Sequence, residues 1–221
     1  MNNPPLIITI DGPAGVGKTT IARQLAGNLG IAYLDTGSMF RAVGWMLAQG
    51  NLVHDQDTIM KFLADIRFDL EGRGWDSFIT LNKQKLGLEI RTEEVGMWAS
   101  NVGKLEIVRN FLKKAQQIIG ASTSLVAEGR DMGSVVFPDA RYKFFLDASP
   151  GVRAARRQSQ LAGMGNQTDY GTILDQIIKR DEQDRNRPIA PLKPAPDAII
   201  IDTSFISPDA VFNEIRKYLI D

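Results

Sequence analysis

The chain has 221 residues, with 26 Lys plus Arg against 26 Asp plus Glu, one histidine (His54) and no cysteine. That length fits one large domain, or one domain carrying an insert, and 43% hydrophobic residues suffice for a packed core. The missing cysteines exclude disulfides, Cys-ligated zinc and thiolate catalysis; the single histidine excludes a multi-His metal site; and zero net charge argues against a nucleic-acid coat.

No run is long and apolar enough for a membrane span. The first residues lack a basic start and an apolar stretch, so no signal peptide is read and a cytoplasmic location is expected. Residues 6–10 (LIITI) form a short β-branched run that stops at Asp11-Gly12-Pro13, which predicts a buried strand feeding a glycine-rich loop. A helix over 19–29 places Ile21, Ala22, Leu25, Ala26 and Leu29 on one stripe. A second strand over 32–34 ends at Asp35-Thr36-Gly37, and a helix over about 38–48 follows. Between about 65 and 90 the period changes to two. Ile66, Phe68 and Leu70 alternate with charged residues, Gly72 to Gly74 turn the chain, and runs over 77–82 and 86–90 continue the pattern. That predicts an antiparallel meander, a small insert in an otherwise βα chain. Helices over about 93–101 and 105–119 follow. The α/β rhythm then returns with strands over 124–127, 142–146 and 198–201 and helices over 151–160, 170–185 and 208–219. About five core strands with intervening helices predict an α/β fold with a mainly parallel sheet covered on both faces.

Gly12-Pro13-Ala14-Gly15-Val16-Gly17-Lys18-Thr19 matches the phosphate-loop pattern in full, with a strand before it and a helix after it. Glycines let backbone N–H groups wrap phosphate oxygens, and the helix adds its positive end. Lys18 is expected on the β- and γ-phosphates and the Thr19 hydroxyl on Mg²⁺, with Thr20 next to it on the ATP-binding segment. The chain therefore reads as a binder of ATP or a similar triphosphate with magnesium.

Further charged residues stand at strand ends and on helix faces. Asp35, Thr36 and Arg41 follow the second strand, and Arg130 and Asp131 follow the strand over 124–127. Ligands of open α/β sheets bind beyond these carboxyl ends. Asp35 is a candidate for the outer magnesium shell on that position alone. Arg180, Asp184 and Arg187 share one helix face, as do Arg153, Arg156 and Arg157. Two readings stand for each face: a surface helix with ion pairs, or a clamp on phosphoryl oxygens. His54 reads as a surface or packing residue. Trp45, Trp75 and Trp98 read as packing residues, without the basic–aromatic array of a single-strand binder.

Taken together, ITIDGPAGVGKTT, YLDTGSMFR, IRTEEV, AEGRDMGSVVFPDA with KFFLDAS, and RDEQDRNRPIAPL resemble the bacterial cytidylate kinases, from Ile7 to about Thr203 and in family order. The resemblance implies a P-loop NTPase fold, three-layer α/β/α around a mainly parallel five-stranded sheet. It implies a core over 1–62 and 120–221, a nucleoside-monophosphate-binding insert over about 63–119 and a short helical lid over about 153–170. It implies phosphoryl transfer from ATP to CMP or dCMP by a monomer. Thr36 and Arg41 would face the acceptor, and Ser100, Arg109 and Asp131 would read cytosine. Arg130 and Arg187 would hold its phosphate, and Arg180 and Asp184 its ribose. Arg153, Arg156 and Arg157 would close over ATP. Lys18, Arg130, Arg153 and Arg157 would then neutralise the transferring group. The chain departs from the family at Thr19, often Gly, at Thr36, often Ser, and at Phe40, often Tyr. The competing readings are a small P-loop kinase with another acceptor and a nucleotide-binding module without turnover.

Overall fold

The computed structural model describes residues 4–50, 55–163 and 165–219, so His54 lies outside the described residues. Strand β1 (Ile7–Asp11) runs into the glycine loop, and α1 (Lys18–Leu29) leaves it. Strand β2 (Ala32–Asp35) passes straight into α2 (Thr36–Gln49), and α3 (Gln56–Ala64) follows. Strands β3 (Phe68–Glu71), β4 (Phe78–Leu81) and β5 (Gln84–Lys85) form the meander, ahead of α4 (Glu93–Val102) and α5 (Glu106–Ser122). The chain then makes β6 (Leu125–Gly129), β7 (Tyr142–Asp147), α6 (Pro150–Gly163), α7 (Tyr170–Asn186), β8 (Ile199–Asp202) and α8 (Pro208–Lys217).

The five-stranded sheet has the order β2-β6-β1-β7-β8, with every neighbouring pair parallel. The glycine loop therefore leaves the central strand. Parallel strands bring all their carboxyl ends to one edge. The register sets Asp11 beside Gly129, Asp35 beside Glu128, and Asp147 beside Asp202. Alternate residues face opposite sides of the sheet. Ile8, Ile10, Val126, Phe144 and Leu146 pack against Ile21, Leu25, Phe212 and Ile215 from α1 and α8. Leu34, Leu125 and Ala127 pack on the other side with Met39, Val43 and Leu47 of α2 and Val108 and Leu112 of α5. Each fully buried Leu, Ile or Phe stabilises the fold by about 1.5–3 kcal/mol. The three-stranded sheet, order β3-β4-β5, adds Phe68, Ile79 and Leu81 to this second cluster, so it shares the core that positions α2 and α5.

Two local expectations need correction. The third meander run, read as a strand over 86–90, pairs only at Gln84 and Lys85. Leu88–Arg91 is a 3₁₀ turn that buries Ile90 and leaves Leu88 exposed. The last ladder bond runs from the Leu86 N–H to the Ile79 carbonyl at 3.2 Å, and the next N–H, of Gly87, turns to the Glu89 carboxylate at 2.9 Å as the chain enters the 3₁₀ turn. Helix α3 is an element the sequence pattern does not predict: Asp55 caps it, accepting from the Thr58 N–H at 2.9 Å, and Ile59 and Leu63 are buried one turn apart. Among the described residues no helix is long and apolar enough to cross a membrane.

Candidate active site

The glycine loop shows why its residue types are required. Gly12 has φ 146°, and a Cβ there would lie 2.1 Å from the Leu146 carbonyl oxygen. Gly17 has φ 95° at the start of α1, and no side chain caps that helix. The first N–H groups of α1 are thus left to a ligand, the arrangement that favours an anion. Val16 accepts the Thr203 hydroxyl at 3.2 Å, which ties the loop to the end of β8. Lys18 is buried and donates to the Pro13 carbonyl at 2.7 Å. Burial, with Arg130 nearby, lowers its pKa to about 7, against the pull of Glu128 and Asp11. Thr19 and Thr20 are exposed at the start of the helix.

The carboxylate against Thr19 is that of Glu128, which sequence reasoning did not single out. The Thr19 hydroxyl donates to its two oxygens at 2.8 and 3.1 Å, and the Tyr33 phenol donates to Oε1. Asp35, expected in the magnesium shell, is engaged otherwise. It caps α2 through the Ser38 N–H at 3.0 Å, accepts the Ser38 hydroxyl at 2.6 Å and pairs with Arg91 at 3.0 Å.

Charged and polar residues converge from five elements. Asp131 follows β6 and is 3% exposed. Arg109 on α5 donates to its Oδ2 at 2.5 Å, and Arg187, just after α7, approaches Oδ1 at 3.5 Å. Arg109 also holds the Gly103 carbonyl at 3.1 Å and stacks 5.4 Å from the Phe40 ring, so Phe40 packs on this site without a phenol. Asp184 accepts from Arg130 Nε at 3.1 Å and lies 3.7 Å from Arg187. Burial pushes its pKa up, but Arg130, Arg180 and Arg187 outweigh this and hold it below the usual range. Arg180 has a buried Nε without a partner among the described residues, and burial next to Arg130 lowers its pKa to about 10. A buried donor without an acceptor is costly unless a ligand supplies one. Arg41 is anchored through Nη1 to the Ile90 and Thr92 carbonyls at 3.0 and 2.8 Å. Ser100 bonds Gln183 at 3.3 Å, and Thr36 donates to the Glu128 carbonyl at 2.7 Å.

Sequence reasoning also missed Asp11. It accepts the Met132 and Gly133 N–H groups at 2.8 Å each and so fixes the turn that follows Asp131. That turn, Met132–Val136, is π-helical, a form concentrated at functional sites. The signal was present as an Asp immediately before the glycine loop, but its partner lies 121 residues away.

The three arginines of α6 do not act as one face. Arg153 is 1% exposed and pairs through both nitrogens with Asp181 of α7. It also donates to the Ala148 carbonyl at 2.9 Å and to the Ala14 carbonyl of the glycine loop at 3.1 Å. Arg156 holds the Thr203 carbonyl at 2.5 Å and hydroxyl at 3.2 Å. Arg157 reaches Glu93 at the start of α4 and Gln160 at 2.7 Å.

Comparison with known proteins identifies the family. The family model for cytidylate kinase matches residues 8–220. A cytidylate kinase of Oleidesulfovibrio alaskensis is 56% identical over 216 residues, covering 97% of this chain and 98% of the relative. One of Nitratidesulfovibrio vulgaris is 53% identical over 213 residues, covering 96% and 92%. A crystal structure of shikimate kinase from Bacteroides thetaiotaomicron shares the fold at TM-score 0.51 and 12% identity, covering 97% of this chain and 98% of that one. On the family match and these identities, the chain belongs to the cytidylate kinase family.

Proposed function

We propose that the chain transfers the γ-phosphate of ATP to CMP or dCMP, giving ADP and CDP or dCDP. The observation that carries this reading is the buried Asp131 carboxylate, held between Arg109 and Arg187 among the convergent arginines. A fixed carboxylate accepts from the N4 amino group of cytosine, whereas uracil offers a carbonyl there and is repelled. A buried polar group matched to a substrate N–H discriminates far more strongly than an apolar pocket.

Roles follow within this reading. Gly12 to Thr20 cradle the triphosphate, and Arg156 and Arg157 close over it. Arg41, Arg130 and Arg187 hold the acceptor phosphate, with Thr36 beside them. Ser100 and Arg109 complete the base subsite, and Arg180 and Asp184 hold the ribose. The partnerless Nε of Arg180 supports an oxygen ligand there. The acceptor phosphate is already an anionic nucleophile and needs no general base. Catalysis then rests on positioning and on charge neutralisation by Lys18 and the arginines. Arg153 contributes by holding the glycine loop at Ala14.

Magnesium fits the residues present. Among the described residues there is no cluster of three or more acidic, His or Cys ligands. That suits a cation held mainly by phosphates and water, with the Thr19 hydroxyl as protein ligand. Bound there, it would neutralise charge on the phosphate oxygens. The segment 63–119 acts as the acceptor-binding insert and 153–170 as the lid, a reading supported by the Arg157–Glu93 pair that bridges them. A cytoplasmic monomer belongs to the same reading, since residues of one chain supply both subsites and no cysteine suggests an oxidising compartment.

Coupled ADP release with CMP, dCMP, UMP and AMP tests the proposal. CMP or dCMP should be turned over fastest. Faster turnover of UMP or AMP would refute it.

A further inference from the structure

Asp11 ends β1 and is 3% exposed, yet it forms no ion pair among the described residues. Its Oδ1 accepts the Met132 N–H and its Oδ2 the Gly133 N–H, at 2.8 Å each. These are the first N–H groups of the turn Met132–Val136, which the turn itself leaves open. Its own bonds begin with the Val135 and Val136 N–H groups on the Asp131 carbonyl, at 2.9 and 3.2 Å. Gly133 lets the turn come this close: a Cβ there would lie 2.8 Å from the Thr9 hydroxyl of β1. The arrangement is costly. Burial raises the Asp11 pKa to about 6 against the pull of the two N–H groups, and the Asp131 charge adds to the rise.

Asp131 stands at the cap position of that turn, and Asp is a residue type that caps. A side chain there would normally accept the N–H two or three residues on, that of Gly133 or Ser134. In this chain it makes no such bond. The Gly133 N–H is already taken by Asp11, so both Asp131 oxygens are left to Arg109, Arg187 and the acceptor site. We propose that Asp11 is a specificity-determining positioning residue: it caps the turn in place of Asp131 and so keeps the Asp131 carboxylate turned to the base of the acceptor nucleotide. This rests on the reading of Asp131 as the acceptor of the cytosine N4 amino group. A cap serving the fold alone needs no second buried carboxylate, because Asp131 already occupies the cap position.

The test measures kcat/KM for CMP and for UMP on the full chain at about pH 8, where Asp11 is ionised. In Asp11→Asn one oxygen becomes an amide donor, which cannot accept the second N–H. Asp131 then turns to cap Gly133, and the ratio for CMP over UMP should fall roughly fivefold, the size of one cap bond. Binding of Mg–ATP alone, read by calorimetry, should stay as in the parent chain. Asp11→Ser keeps one oxygen in a smaller side chain and should move the ratio the same way. It serves as the second variant should Asp11→Asn fail to fold. Adding Asp11→Asn to Asp131→Asn should leave the ratio where Asp131→Asn alone puts it, since both act through one carboxylate. Ile215→Val, a core deletion in α8, should lower stability with an unchanged ratio. An unchanged ratio in the Asp11 variants, a further fall in the double variant, or an equal fall in Ile215→Val would overturn the inference. A parent chain without preference for CMP over UMP would instead overturn the cytosine reading of Asp131.

Discussion

Removing Asp181 tests how helices α6 and α7 hold the glycine loop. Its carboxylate meets the Arg153 guanidinium with side chains 1% and 12% exposed, so the pair is largely out of water. Asp181→Ala leaves a buried guanidinium with only the Ala14 and Ala148 carbonyls, at 3.1 and 2.9 Å. Breaking one half of a buried pair costs about 3–5 kcal/mol. Natural domains have about 5–15 kcal/mol in total, so this is a large fraction. The displaced arginine also releases Ala14, so ATP affinity should fall with stability. Urea unfolding and calorimetry with ATP read the two effects. The double variant Arg153→Met, Asp181→Leu separates them: apolar replacement of a buried pair is often neutral, yet it removes the donor to Ala14. Stability should return while ATP affinity stays weak. A loss under 1 kcal/mol in Asp181→Ala, or full ATP affinity in the double variant, would refute the reasoning.

Three further outcomes follow. Lys18 has a pKa near 7, lowered by burial, and bound phosphates would raise it. ATP binding should therefore take up close to one proton at about pH 8 and almost none at about pH 6, measured by calorimetry in buffers of different ionisation enthalpy; release of protons would contradict this. Asp11 has a pKa raised to about 6 from 3.8 by burial. A raised carboxylate pKa adds stability below about pH 4 that is lost as pH rises through about 6, by up to about 3 kcal/mol. Asp11→Asn lacks this dependence, so its stability relative to the parent chain should improve from pH 4 to 7 in urea titrations, and a pH-independent difference would refute the assignment. Gly12→Ala puts a Cβ 2.1 Å from the Leu146 oxygen at φ 146°, so it should cost at least about 1–3 kcal/mol and abolish ATP binding; normal ATP affinity would show that the loop is free to shift.

The frame of the molecule was legible because its signals are local. The run LIITI, the glycine loop and the apolar stripe of α1 each depend on residues within a few positions, and β1 and α1 appear where the pattern put them, shifted by a residue. The meander was legible through its period of two until Leu88, where the alternation continues but the ladder does not. Burial of Ile90 there is decided by packing and by the Arg41 contact, which spacing does not encode. At the site, family-type motifs located Asp131, Arg130 and Arg187, and the structure brings these together. Spacing alone left two readings for the arginines of α6, since residues on one helix face need not share a partner: Arg153 turns inward to Asp181 and Arg157 outward to Glu93. Glu128 and Asp11 were invisible because each works through partners about 90 to 120 residues away.

The most direct measurement is the ratio of kcat/KM for CMP over UMP in the parent chain and in Asp131→Asn. Asn keeps the size of Asp131 but offers an amide donor as well as an acceptor, so uracil is no longer repelled. The account predicts a strong preference for CMP in the parent chain and a fall in the ratio of at least tenfold in the variant, about 1.4 kcal/mol or more. An unchanged ratio, or a parent chain that prefers UMP or AMP, would contradict the assignment of Asp131 as the reader of cytosine.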